Sequence, residues 1–123
     1  MALTRITSPT ALADEFIVVS ELTATSINNV SASTTGSIYM IEADNTSNEY
    51  PVYVKIVDAA SATAGVTQPQ LKLRIPKQAK TTFSLLSGHA YSAGLCLWAT
   101  TGSGDLNTGI PENTITVKIL VTD

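Results

Sequence analysis

The chain has a single cysteine, Cys96, and a single histidine, His89, among its 123 residues. An internal disulfide is therefore excluded, and so are zinc sites built from several cysteines or histidines. Cys96 lies in an apolar segment, where a free cysteine usually behaves as a small buried hydrophobe. A catalytic triad would have to combine His89 with Cys96 or a serine, and no serine lies in a G-x-S-x-G motif.

Charged residues are also scarce, at 14% of the chain, and the net charge is −3. Nucleic-acid binding is disfavoured, because phosphate contacts need clustered lysine and arginine. The densest basic run contains Lys72, Arg74, Lys77 and Lys80. We expect Lys72 and Arg74 to form the wet face of a strand and the other two its turn. No nucleic-acid partner is predicted.

Long apolar runs are missing as well. The N-terminal stretch has no apolar segment of signal-peptide length. Residues 81–104 contain no Asp, Glu, Lys or Arg, but four glycines interrupt them. A membrane-spanning helix needs about 20 predominantly apolar residues, so no membrane partner is predicted.

The sequence does contain a strong alternation of apolar and polar residues, which is the period of β-strands. Turn signals separate the alternating segments, among them Ser87-Gly88 and Gly102-Ser103-Gly104. The pattern predicts an all-β fold: an antiparallel β-sandwich or jelly roll of about seven to eight strands over residues 16–123, preceded by an extended arm at residues 1–15. The predicted strands cover residues 16–23, 37–44, 52–57, 71–75, 81–86, 90–99 and 114–121. The predicted core is Val52, Val54, Ile56, Leu71, Leu73, Ile75, Phe83, Leu85, Leu95, Leu97, Ile115, Val117 and Ile119.

The polar segments offer few candidates for chemistry. Asp58 begins a loop of small residues at 59–69, and we expect its carboxylate to accept a hydrogen bond from the backbone N–H two residues on. Residues 44–49 have oxygen ligands for calcium but lack EF-hand spacing, which favours a hairpin turn. Residues 100–111 predict a solvent-facing tip. Whether Glu42, Asp44, Asp58 or Asp105 pair as catalytic carboxylates is left open.

Several predicted strands are apolar on both faces, which suggests that the second face is covered too. For Trp98, a core position is favoured over a subunit interface or a ligand platform. The candidate interface residues are Leu3, Ile6, Tyr53, Val57, Leu86, Trp98 and Leu120. No catalytic, metal-binding or cofactor-binding residue is predicted.

Four tracts carry a resemblance: EADNTSNEYPVYVKIVDAASATAGVTQP, LKLRIP, GHAYSAGLCLWATTG and TVKILV. Together they resemble small β-sandwich virion proteins of tailed bacteriophages, of the capsid decoration or cement type. The resemblance implies a non-enzymatic protein on the capsid exterior, whose partners are the major capsid protein and further copies of itself, most often as a homotrimer. It would use the arm at residues 2–14 to reach a neighbour.

Two other functions remain open at this stage. One is a receptor- or glycan-binding module associated with a phage fibre. The other is a jelly-roll glycan hydrolase that uses carboxylates in its loops.

Overall fold

The computed structural model describes residues 15–122. Its regular elements are all β-strands, and no helix long and apolar enough to cross a membrane occurs in this part of the chain. The strands are β1 (Glu15–Leu22), β2 (Gly36–Asp44), β3 (Val52–Asp58), β4 (Leu71–Ile75), β5 (Lys80–Tyr91), β6 (Leu95–Thr100) and β7 (Ile115–Thr122). The predicted arm falls outside the described residues except for Glu15, which begins β1.

The strands form two antiparallel sheets. The four-stranded sheet has the order β1-β7-β2-β5, and the three-stranded sheet has the order β4-β3-β6. Apolar side chains from both sheets meet in one buried cluster that includes Ile41, Ile56, Leu97 and Ile119. The prediction of an all-β sandwich is confirmed.

The strands pair as if the chain were first folded into a long antiparallel hairpin and then wrapped into two sheets. β1 pairs with β7, β2 with β5, and β3 with β4. The segment between β1 and β2 lies beside β6, where Ile27 and Leu97 exchange backbone hydrogen bonds. If this segment is counted as a reduced strand, the strand order is that of a jelly roll.

Most of the predicted core is buried. Val52, Val54, Ile56, Ile75, Leu95, Leu97, Ile115, Val117 and Ile119 have almost no exposed surface. Leu71, Leu73, Phe83 and Leu85 are only partly buried and pack at the margin of the cluster. They lie on β4 and β5, which are edge strands, so one side of each has no neighbouring strand to cover it.

The prediction of a turn at Ser87-Gly88 is wrong. β5 continues through these residues to Tyr91, and the chain turns at residues 92–94 instead. Its register with β2 shifts between Ile38 and Met40, so residues 85–88 bulge out of the pairing. Gly88 has φ 75° and lies against the ring of Tyr39, where a Cβ atom would come within 3.1 Å. The glycine therefore serves a bulge rather than a hairpin.

The predicted hairpin between β2 and β3 is also wrong, because the two strands belong to different sheets. The corner that joins them is held by two buried asparagines. Asn45 Nδ2 donates to the carbonyl of Tyr50 at 2.9 Å, and Asn48 Nδ2 donates to Asn45 Oδ1 at 2.8 Å. The two side-chain amides donate hydrogen bonds to backbone carbonyl groups at the point where the chain crosses from one sheet to the other.

Candidate functional site

The outer face of the three-stranded sheet is covered by two loops of the same chain. Residues 59–70 join β3 to β4 and are called the alanine loop here. Residues 101–114 join β6 to β7 and are called the glycine loop. Beneath them lie the outward side chains of β3 and β6, among them Lys55 and Trp98, which are opposite each other in the strand pairing.

The alanine loop forms a second small core with this face. Ala62 packs with Val57, Cys96 and Trp98, and Ala59 and Ala64 add to the cluster. Val57 is 6% exposed, and Trp98 has no exposed surface. The second face of these strands is therefore covered by the chain itself, and Val57 and Trp98 lie inside the protein rather than on a surface that a second subunit could reach. The expected small-hydrophobe role of Cys96 is confirmed by its burial.

Lys55 fixes the glycine loop from below. Its side chain is completely buried, and Nζ donates to the carbonyl of Gly104 at 2.5 Å. Burial lowers the pKa of the Lys55 ammonium from its ordinary value of 10.5, and the positive charge of Lys72 lowers it further. A buried ammonium that bonds to loop carbonyls gives this loop one well-defined position over the sheet.

Lys72 makes a second attachment at the exposed margin of the same loop. Its Nζ donates to the Ser103 carbonyl at 2.5 Å and to Asp105 Oδ1 at 2.8 Å. Hydrogen bonding to Lys72 also lowers the pKa of the Asp105 carboxyl. The predicted solvent-facing tip at residues 100–111 is confirmed for residues 103–108, which are exposed, although the loop is also tied down to the sheet.

The glycine loop is also ordered from within. Asn107 Oδ1 accepts hydrogen bonds from the backbone N–H groups of Gly102 at 3.1 Å and Gly109 at 2.8 Å. The Thr101 N–H donates to the Gly109 carbonyl at 3.0 Å and closes the base of the loop. These internal bonds make the loop a compact surface feature.

A groove of about 360 Å³ lies where the two loops meet the segment after β1. Small or hydroxyl side chains form most of its lining, which is Ala24, Thr25, Ser26, Ala62, Thr63, Ala64, Thr108 and Ile110. None of these residues is charged. The loops approach closely here, since a Cβ atom on Gly65 would come within 2.8 Å of Thr108 Cγ2.

Aliphatic side chains stand out from the same loops. Val66 is 73% exposed, Leu106 is 49% exposed and Ile110 is 72% exposed. Sequence reasoning missed all three. The sequence signal was weak, because these are isolated aliphatic residues in otherwise polar loops. Neither periodicity nor spacing shows whether such side chains face the protein or the solvent.

Asp58 holds the turn between β5 and β6 at the edge of this region. Its carboxylate accepts hydrogen bonds from the backbone N–H groups of Ser92, Ala93 and Gly94, at 2.8 to 3.3 Å. These bonds, led by the one from Ala93, lower the pKa of the Asp58 carboxyl. The prediction of a turn-stabilising role is correct in kind, but the predicted partner two residues on is wrong, because the turn it holds lies 34 to 36 residues away.

The remaining interface candidates do not form one surface. Tyr53 is half-buried on the outer face of the three-stranded sheet. Leu86 is 95% exposed in the bulge of β5, and Leu120 is half-buried on the outer face of the four-stranded sheet. Leu3 and Ile6 lie outside the described residues.

The described residues contain no group of three or more His, Cys, Asp or Glu side chains that could hold a metal ion. His89 is on β5 and Cys96 is on β6, in different sheets. Three of the carboxylates considered for catalysis have separate partners: Asp44 bonds to Thr46, Asp58 to the turn at residues 92–94, and Asp105 to Lys72. These three carboxylates are thus engaged in separate local contacts rather than paired with one another.

Comparison with known proteins adds no relative. No family model matches the chain, and no curated protein or solved structure is significantly similar to it.

Proposed function

We propose that the chain is a non-enzymatic structural protein of a tailed-bacteriophage virion, which packs on the outside of the head shell and stabilises it. The observation that carries this proposal is the surface formed by the two loops. There Ile110 exposes an aliphatic side chain at an uncharged groove, and Val66 and Leu106 are exposed on the same two loops. The sequence resemblance described above supports the same function.

Such a surface suits a protein partner. Exposed aliphatic side chains gain free energy when they leave water, and the groove lining has no charge whose desolvation would oppose docking. Lys55 and Lys72 already hold the glycine loop in place, so binding would cost little loop entropy. We propose the major capsid protein as the partner.

The jelly-roll order of the strands agrees with this proposal at the level of the fold. Jelly rolls occur in viral capsid domains and also in lectins. Because one fold serves many functions, this agreement is an analogy and assigns no role to a residue.

Attachment to a shell does not require one strong site. Many copies on a regular lattice gain effective affinity when they are linked to one another, so self-association would strengthen weak docking. A homotrimer, placed at threefold positions of the shell, is the oligomer that the resemblance favours. The arm at residues 2–14 would add a further contact with a neighbour.

A glycan-binding module associated with a phage fibre is the second candidate. The hydroxyl groups of Thr25, Ser26, Thr63 and Thr108 at the groove favour it, because sugars are bound through hydrogen bonds. Sugar sites also commonly use an exposed aromatic ring, and Trp98 is completely buried. The capsid proposal is therefore preferred.

The proposal is tested by adding purified protein to phage heads that lack it. We expect saturable binding at a fixed number of copies per head and a higher temperature of head disruption. Ile110→Asp should weaken binding, because it places a charge on the docking surface. The matched control is Ser84→Asp, an exposed position on β5 in the other sheet, which should bind as the unmodified protein does. Binding to cells or glycans, together with no binding to heads, would favour the second candidate.

A further inference from the structure

The edges of the two sheets differ in how they are protected. A sheet edge presents unpaired backbone N–H and C=O groups, and proteins usually block it with charges, proline, bulges or covering segments. β4 has exposed Lys72 and Arg74 at its centre. β5 begins with Lys80 and has the bulge at residues 85–88. β6 is covered by the segment around Ile27.

β1 has charged residues only near its ends, at Glu15 and Glu21, and none of these protections at residues 16–20. It is the outer strand of the four-stranded sheet. Residues 16–20 contain no charge and no proline. The strand pairs regularly with β7 from Glu15 to Val19, and its register shifts only after that. Among the described residues, β1 is the edge most open to pairing with another strand.

The outward side chains of β1 are also apolar. Phe16 is 54% exposed and Val18 is 53% exposed. Phe16 lies opposite Leu120 on β7, and Leu120 lies opposite Met40 on β2. An apolar row therefore crosses three strands of the outer face and ends at the open edge.

We propose that β1 pairs antiparallel with β1 of a second copy of this chain, about a two-fold axis at Ile17. An antiparallel edge is self-complementary, because each strand offers the donors and acceptors that the other lacks. The two four-stranded sheets then become one continuous sheet. This proposal does not depend on the proposed function, and its two-fold contact in solution is separate from the homotrimer contact proposed on the shell.

Charge and side-chain pairing select the axis at Ile17. There the regular stretch from Glu15 to Val19 pairs with itself, and each Phe16 lies opposite the second copy's Val18. Aromatic and β-branched residues are a favourable cross-strand pair. An axis at Val18 would instead place Glu15 opposite the second copy's Glu21, and like charges in that position repel.

The same arrangement extends the apolar row. The row of Leu120 and Phe16 in one copy is followed across the new strand pair by Val18 of the second copy. The two-fold axis produces the same row a second time, in the opposite direction. The paired stretch, Glu15 to Val19, is short against the roughly 20–30 residues per partner of a standard stable complex. We therefore expect an association that is weak in dilute solution and favoured where copies are concentrated.

The test uses the full chain over a range of concentrations. Sedimentation velocity should show a monomer–dimer equilibrium, and the backbone amides of β1 should become more protected from hydrogen exchange as the concentration rises. Val18→Glu should raise the dissociation constant by at least about tenfold, since it places a charge against the second copy's Phe16. The new carboxylate lies opposite Lys118 within its own sheet, so the monomer should keep its melting temperature.

Ser84→Glu is the matched control, an exposed position on the same face at the opposite edge strand, and it should leave association unchanged. A monomer at every concentration would overturn the proposal, and so would a dimer that Val18→Glu does not weaken. Protection of β1 that does not change with concentration would also overturn it, because the strand would then be covered within one copy.

Discussion

At the scale of single residues, Lys55, Asp58 and Asp105 all take part in contacts that fix loops or turns. Lys55 shows why the sequence could not reveal this. In the alternating pattern it occupies an outward position of β3, where a lysine normally faces water. Its burial depends on the glycine loop, which follows some fifty residues later and folds back over it. The position of that loop is a tertiary property that strand periodicity does not contain.

The lowered pKa of Lys55 predicts a pH dependence of stability. Because burial holds the folded pKa below 10.5, the unfolded chain keeps this proton at pH values where the folded chain has lost it. The unfolding free energy contributed by this site should therefore rise with pH, from the folded pKa up to 10.5. Lys55→Met should remove that rise and increase hydrogen exchange in residues 101–110. Urea unfolding, followed by Trp98 fluorescence at several alkaline pH values, measures the difference, and equal pH slopes would contradict the prediction.

Asp58 gives a pH dependence of stability with the same sign, in the acid range. The pKa of the Asp58 carboxyl is lowered in the folded protein. Its contribution to the unfolding free energy is therefore fully present above the ordinary pKa of 3.8, and it is lost as the pH falls through the folded pKa. Asp58→Ala should reduce the unfolding free energy by about 1–3 kcal/mol at neutral pH, because the three N–H groups of the turn lose their acceptor. The deficit should shrink in acid. A constant deficit from neutral to acid pH would show that the carboxylate charge is not the cause.

At the scale of secondary-structure elements, the alternation of apolar residues was enough to predict the strands and the sandwich. β4 shows the signal at its clearest, and β7 shows it everywhere except at Leu120, an apolar residue in an outward position. The wrong predictions concern segments whose local sequence is compatible with two different structures. Ser87-Gly88 suits a turn or a bulge, and the choice depends on the close packing of Tyr39 from the paired strand. The polar run after β2 suits a hairpin or a crossing between sheets, and the buried contacts of Asn45 and Asn48 determine the crossing.

The central position of β7 gives a stability prediction. Ile119 is fully buried on this strand, which pairs with both β1 and β2. Ile119→Ala should lower the unfolding free energy by about 2–5 kcal/mol, through lost hydrophobic burial and the cavity left behind. Leu86→Ala serves as the control, because Leu86 is 95% exposed, and it should change stability by no more than about 0.5 kcal/mol. Similar denaturation midpoints for the two variants would contradict this account of the core.

At the scale of the whole molecule, the surfaces proposed for docking and for self-association are distinct. The glycine and alanine loops cover the three-stranded sheet, whereas β1 is the open edge of the four-stranded sheet. Of the second surface, only Leu120 was among the interface residues predicted from the sequence, and it lies opposite Phe16 of β1. No residue of the first surface was predicted, because Val66, Leu106 and Ile110 are isolated aliphatic residues in loops whose position over the sheet is not contained in strand periodicity.

Distinct surfaces predict separable defects. Ile110→Asp should reduce binding to phage heads while the monomer–dimer equilibrium stays unchanged. Val18→Glu should weaken the dimer. It should lower the number of copies bound per head only because copies that are no longer joined to one another lose the gain in effective affinity. Head co-sedimentation and sedimentation velocity, applied to both variants, measure the two effects. If each variant changed both measurements equally, the separation of the two surfaces would be wrong.

The proposed function is tested most directly by cryo-electron microscopy of virions from a phage that encodes this chain. We expect density for a two-sheet protein on the outer surface of the head, repeated with the symmetry of the shell. The alanine and glycine loops should face the major capsid protein. Density for the chain on tail fibres, or its absence from the particle, would contradict the account.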